Sequence, residues 1–138
     1  MEESKALRIF VTGGAGYIGS HTVVALLEPG HRVEIIDNFA NSSADVLEQV
    51  AILAGQKCKA HQADVTDLPK LTEILTAFKP DMVLHFAGRK SVAESVERPD
   101  FYYQQNVGGT SNLLTAMDRC GCKHIIFSSS ATVYGAPD

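Results

Sequence analysis

Along the chain, short apolar runs alternate with segments in which apolar residues recur every three to four positions, a pattern that predicts strands and helices in turn. Residues 7–12 are an apolar run ending at a cluster of glycines, and suit a strand buried on both faces of a parallel sheet. Residues 16–27 read as a helix, which Pro29-Gly30 stops because the residue before a proline avoids the helical region. Residues 32–37 form a second strand. Within 43–53, Val46, Val50 and Leu53 share one helical face. Residues 58–63 are a third strand. Asp67 then caps a helix with core face Leu71, Ile74, Leu75 and Phe78, and Pro80 lies just past its end. Residues 82–86 make the fourth strand. Tyr103, Val107, Thr110, Leu114 and Met117 stripe a longer helix over 100–119, and Ile125-Ile126-Phe127 is a fifth strand running into Ser128-Ser129-Ser130.

Strands and helices joined by short links predict an α/β fold, a Rossmann-type doubly wound parallel sheet of about five strands. Right-handed crossovers put helices on both faces. Ligands of such sheets bind beyond the carboxyl ends of the strands, where the unusual residues of this chain fall.

The 138 residues amount to one domain, with 45% hydrophobic and 20% charged residues, an ordinary globular composition. A net charge of -4 without clustered Lys and Arg argues against nucleic acid as a partner. The start, Met1-Glu2-Glu3-Ser4-Lys5, is polar, and no long apolar run follows, so neither a secretory signal nor a membrane span is expected and the cytoplasm is the default compartment. Cys120-Gly121-Cys122 has no second pair and no histidine at finger spacing. With Cys58 these read as packing or loop thiols, and no metal site is expected.

Thr12-Gly13-Gly14-Ala15-Gly16-Tyr17-Ile18-Gly19 follows the first strand and opens the first helix. Small residues there let the chain turn tightly, let the backbone approach a pyrophosphate and let the helix pack against the strand, with free N–H groups facing an anion. Asp37 ends the second strand about 20 residues on, where a carboxylate can accept both ribose hydroxyls of adenosine. No Arg or Lys follows closely to bind a 2′-phosphate, which favours NAD over NADP. Asp64 reads equally as an adenine contact or as the start of a turn through Asp67. His85 closes an apolar strand, where a lone histidine is more often a core residue than a base. His21, His31, His61 and His124 show no partner in the sequence.

The spacing of Gly13, Gly16 and Gly19 resembles the extended short-chain dehydrogenase/reductase superfamily. Residues 12–21, Asp37-Asn38, His85-Phe86-Ala87-Gly88, Lys90, Glu94-Ser95-Val96, Tyr102-Tyr103 with Asn106, and residues 128–135 (SSSATVYG) together resemble the UDP-glucose 4-epimerase family. That resemblance implies NAD-dependent interconversion of UDP-galactose and UDP-glucose through a 4-keto intermediate. It implies that Tyr17 and Ile18 lie beside the pyrophosphate, that Asp37, Asn38, Asn41 and Ser42 surround the adenosine ribose, and that Asp64 and Val65 meet adenine. Phe86, Ala87, Gly88 and Lys90 would line the nicotinamide half, supported by Asn106. Ser130 and Thr132 would face the UDP-hexose, Ser130 as a catalytic residue hydrogen-bonded to the reacting hydroxyl. Arg89 and Ala93 depart from the family pattern, which has leucine and glycine there.

The family's base is the tyrosine of a Tyr-x-x-x-Lys pair, and the chain has none: Tyr17 is followed at the fourth position by His21, Tyr102 by Asn106, Tyr103 by Val107 and Tyr134 by Asp138. The resemblance therefore implies the N-terminal part of the enzyme, a dinucleotide-binding domain over 1–138 without the substrate domain, inactive alone. Dehydratases of the superfamily carry acidic residues after the position of Ser130, whereas here Ala131-Thr132 follows. Another extended dehydrogenase/reductase acting on nucleotide sugars, and a non-catalytic NAD-binding module, are the alternatives. The helix from Asp100 resembles one that pairs with its copy in family dimers, which implies a homodimer. The last strand, without later neighbours, is expected to promote association.

Overall fold

The computed structural model describes residues 5–135, with the backbone alone at 131 and 132. Five strands, β1 (Arg8–Thr12), β2 (Arg32–Asp37), β3 (Lys59–Gln62), β4 (Met82–His85) and β5 (Ile125–Phe127), pair in parallel in the order β3-β2-β1-β4-β5. The helices are α1 (Tyr17–Leu27), α2 (Asp45–Ala54), α3 (Leu68–Phe78), α4 (Val92–Glu97), α5 (Pro99–Tyr103) and α6 (Gly109–Cys120). A π-helical segment, Gln104–Gly108, joins α5 to α6, and a 3₁₀ turn, Ala131–Tyr134, follows β5.

Alternation along the central strands feeds two cores. Ile9 and Val11 of β1, Val33 and Ile35 of β2 and Leu84 of β4 pack with Val23 and Leu27 of α1 and Val50 of α2. On the opposite face Phe10, Ile36 and Val83 meet Leu71, Ile74, Leu75 and Phe78 of α3 and Leu113, Ala116 and Met117 of α6. Each large side chain so buried contributes roughly 1.5–3 kcal/mol against the entropy of ordering it. Asp67 caps α3 as expected, accepting from the Lys70 N–H at 3.0 Å. Cys122 is buried in the second core, while Cys58 and Cys120 are partly buried free thiols.

Three sequence expectations differ from the fold. The helix over 100–119 is instead α5, the π segment and α6, and the short α4 precedes it. Of the expected stripe Tyr103, Val107 and Leu114 are exposed, Thr110 is partly buried and Met117 is buried; the inward face is Tyr102, Gly109, Leu113, Ala116 and Met117. The buried face is turned by about 100°, one residue's step, because small residues let α6 lie close to its neighbours. Leu53 is 70% exposed, beside an open groove between α1 and α2; the inward face of α2 runs through Val46, Leu47, Val50 and Ala54.

Candidate functional site

The chain winds through β1, β2 and β3 to one side and then crosses to β4 and β5. The loops after β1 and β4 therefore part at the carboxyl end of the sheet. A cavity of about 560 Å³ opens there. Gly13, Gly16, Tyr17 and Ile18 line it from the β1 loop and the start of α1, and Asp37, Asn38, Asn41 and Ser42 from the end of β2 and the loop after it. Asp64 and Val65 line it after β3, and Phe86, Ala87, Gly88 and Lys90 after β4.

The bend after β1 is anchored at both ends of its glycine run. The Gly13 N–H donates to the Ile36 carbonyl at 2.8 Å, and its carbonyl accepts from the Gly16 N–H at 3.1 Å. Gly13 has φ +66°, and a Cβ there would stand 2.8 Å from the Ala87 nitrogen. Gly19 does not line the cavity; a Cβ on it would run into the Gly13 carbonyl, so its role is to let α1 close on the bend. Gly16 begins α1 without a side-chain cap, which leaves the first helical N–H groups for an outside acceptor.

Asp37 sits on this bend. One carboxylate oxygen accepts from the Ala15 N–H at 3.0 Å, and the other from the Phe39 N–H at 2.8 Å and the Ser42 hydroxyl at 3.2 Å. A carboxylate has about four lone-pair sites, so acceptor capacity remains for a ligand. Beside it the Asn38 amide donates to Asp64 at 2.7 Å, and Asp64 also accepts from the Thr66 N–H and hydroxyl. Burial opposes ionisation of Asp64, but the hydrogen bonds from Thr66 and Asn38 and the charge of Arg89 outweigh it and hold the carboxyl below its usual range. Asp64 thus starts the turn, and it also faces the cavity.

At the other end, Asn106 lies behind the wall rather than on it. Its Oδ1 accepts from the Arg89 N–H at 2.7 Å and its Nδ2 donates to the Arg89 carbonyl at 3.0 Å, clamping the β4 loop. The Arg89 guanidinium stands 5.1 Å from the Phe101 ring centre, within cation–π range. Arg89, Ser91, Glu94, Tyr102 and Gln105 also line the cavity, though the sequence reading gave them no role. The Tyr102 hydroxyl accepts from the Ser91 N–H at 2.9 Å and donates to Glu94 at 3.1 Å. The signal for this corner was Ser91-x-x-Glu94, a capping-box spacing: Ser91 caps α4 by accepting from the Glu94 N–H.

The model of the NAD dependent epimerase/dehydratase family matches residues 9–138. The chain belongs to that family. It is 53% identical over 135 residues to UDP-glucose 4-epimerase 2 of Arabidopsis thaliana, with 96% of the chain and 39% of that protein aligned. UDP-glucose 4-epimerase of Yersinia enterocolitica is 52% identical over 132 residues, at the same coverage. The chain thus spans about two-fifths of the length of the curated relatives it matches. Among solved structures it is similar to a UDP-glucose-4-epimerase from Stenotrophomonas maltophila with bound NAD and formylated UDP-arabinopyranose (TM-score 0.91, 45% identity, 96% of this chain and 39% of that one). It also resembles the Bifidobacterium longum enzyme in complex with NAD+ and UDP (TM-score 0.89, 44% identity, 93% and 38%).

In this epimerase/dehydratase-family chain Ser130 follows β5 at the same end of the sheet but is not on the cavity wall, and the Thr132 side chain lies outside the described residues. Three of the histidines that the sequence left without partners have them. His61 pairs with Glu34 at 2.7 Å across β2 and β3, His31 accepts from the Leu7 N–H, and His21 contacts the Tyr17 carbonyl and ring. Among the described residues no helix is long and apolar enough to cross a membrane, and no His, Cys, Asp and Glu cluster could hold a metal.

Proposed function

We propose that this chain is the dinucleotide-binding part of a UDP-glucose 4-epimerase, residues 1–138 forming its NAD-binding domain. The observation that carries the reading is the Asp37 carboxylate on the glycine bend, with spare acceptor capacity, inside a cavity at the switch point of the sheet. The residues fit the group: its diphosphate would lie at the uncapped start of α1, its adenosine ribose at Asp37, its adenine near Asp64 and Val65, and its nicotinamide half beside Phe86, Ala87, Gly88 and Lys90. Asp37 is held by two backbone amides and a hydroxyl, and no Arg or Lys occurs between Asn38 and Lys57 to take up a 2′-phosphate, which supports NAD over NADP. Bound NAD supplies a hydride acceptor and donor for C4 of the hexose. The protein's own part is to anchor the two ends of the dinucleotide and to fix the β4 loop against it. The NAD-bound relatives in the same fold support this assignment.

Within the same reading Ser130 hydrogen-bonds the hydroxyl at C4 of a UDP-hexose, with Thr132 beside it, and Ala131-Thr132 brings no carboxylate for removing water. The protein acts in the cytoplasm, as a homodimer through the outward face of α5 and α6. Calorimetric titration tests the cofactor: NAD should bind, and NADP at least about tenfold more weakly, since the 2′-phosphate would meet the Asp37 carboxylate. Equal binding of both, or of neither, would overturn the assignment. Turnover is tested by joining the chain to the remaining part of the Arabidopsis thaliana relative, which should interconvert UDP-galactose and UDP-glucose. A dehydrated product would favour the dehydratase class instead. The chain alone should give no turnover with saturating NAD, because it holds no Tyr-x-x-x-Lys pair.

A further inference from the structure

Hydrogen bonds around His85 run in one direction from β1 to the loop that forms the far wall of the cavity. Thr12 Oγ1 accepts from the Phe86 N–H at 3.2 Å and from the Ala87 N–H at 3.1 Å. The Phe86 N–H is shared with the Thr12 carbonyl at 3.1 Å, so the direction is fixed from the other side of the ring: Thr110 spends its one hydroxyl proton on the Asn106 carbonyl and must accept from Nε2, which leaves Nδ1 to accept from Thr12 Oγ1, 2.6 Å away. Nδ1 is then the acceptor of a neutral ring and Nε2 carries the proton, which it donates to Thr110 Oγ1 at 3.0 Å. Thr110 in turn donates to the Asn106 carbonyl at 2.7 Å, and the Asn106 side chain grips the Arg89 backbone from both sides. Asn106 belongs to the π-helical segment, an interruption that recurs at functional sites. No buried side-chain N or O atom among the described residues lacks a partner. A core histidine needs only to be satisfied. This one is satisfied by groups that hold residues 86, 87 and 89 at three points.

We propose that Thr12, His85 and Thr110 are positioning residues for the nicotinamide half of the cofactor, setting the backbone of residues 86–89 through a donation order that requires the Nε2–H tautomer of His85. The proposal rests on the NAD reading above and deepens it: the adenosine end is held by Asp37 and the bend, and this chain of bonds acts on the other end alone. The discriminating comparison is therefore NAD against ADP-ribose, which lacks the nicotinamide ring.

Two measurements test it. Nitrogen-15 NMR of the histidines in the unsubstituted chain, without ligand, should show His85 as the Nε2–H tautomer at neutral pH; the Nδ1–H tautomer would overturn the donation order. Thr110→Val keeps the shape of the side chain but cuts both of its bonds. It should weaken NAD about tenfold while ADP-ribose changes by less than about twofold, and Thr110→Ser should restore NAD affinity. Equal losses for the two ligands would mean a general structural role, and no loss for either would mean that the loop is set by other contacts; both outcomes overturn the proposal. If the unsubstituted chain bound neither ligand, the NAD reading itself would fall, a result distinct from ligands that bind but ignore Thr110.

Discussion

His85 is 2% exposed, and the groups set against it from neighbouring elements are uncharged: Thr12 from β1, Thr110 from α6 and the Phe127 ring of β5, centred 5.7 Å away. Burial pushes its pKa from 6.5 down to about 4. Between those values the unfolded chain binds a proton that the folded chain refuses, so acidification through this window favours unfolding. Stability from this residue is fully present above about pH 6.5 and is lost progressively as pH falls towards 4, on the order of 3 kcal/mol in all. Asp64, whose pKa is lowered, gives up its contribution below that window, so the two effects separate. Urea denaturation at a series of pH values should show a slope of about one proton between pH 6.5 and 4 that His85→Gln flattens. An unchanged slope in the variant would assign the acid sensitivity to other groups.

Among the elements, those that carry the core were legible because each buries one clear face. The β1 and β2 runs, the Asp67 cap and the Leu71-Ile74-Leu75-Phe78 face of α3 needed only local pattern. The residues that end strands were legible as cavity residues for a related reason, since a parallel sheet delivers every strand end to one side. α4 was not legible by periodicity because Val92 and Val96 are both exposed. The face of the segment from α5 to α6 was read one residue out because its inward positions include Gly109 and Ala116, which carry little apolar signal beside the exposed Tyr103, Val107 and Leu114, although Tyr102, Gly109, Leu113 and Ala116 keep one helical period through the π segment. The Asn106 clamp on Arg89 joins residues 17 apart in sequence through a side chain and a loop backbone, which no spacing rule encodes. Two adjacent glycines show what the phase decides. A Cβ on Gly109 would come 2.7 Å from Val65 Cγ2, a stiff β-branched side chain that also lines the cavity. A Cβ on Gly108, with helical φ of -61°, would meet nothing within 4 Å. Gly109→Ala should therefore cost about 1–3 kcal/mol, and Gly108→Ala should add up to about 1 kcal/mol. Equal shifts of the urea midpoint in the two variants would contradict the close packing of α6 on Val65.

Two of the apolar surfaces uncovered among the described residues predict different kinds of association. Tyr103, Val107 and Leu114, the stripe that faces outward, are 67%, 48% and 49% exposed on a helical unit from Pro99 to Cys120 that is about 33 Å long. A face of that length suits a two-fold pair, which closes at two copies. Edge strand β5, with Ile126 and Phe127 52% and 57% exposed, offers an unpaired ladder instead, and edge pairing has no built-in stop. If the outward stripe dominates, as the proposed homodimer requires, sedimentation across the micromolar range should show a single dimer. Leu114→Glu should then convert it to monomer, because a carboxylate at the centre of the stripe would be buried against its own copy. Leu114 lies away from the cavity, so NAD affinity in that variant should stay within about twofold of the parent. Mass that keeps rising with concentration, unaffected by Leu114→Glu but reduced by Ile126→Lys, would assign the association to β5 and remove the dimer.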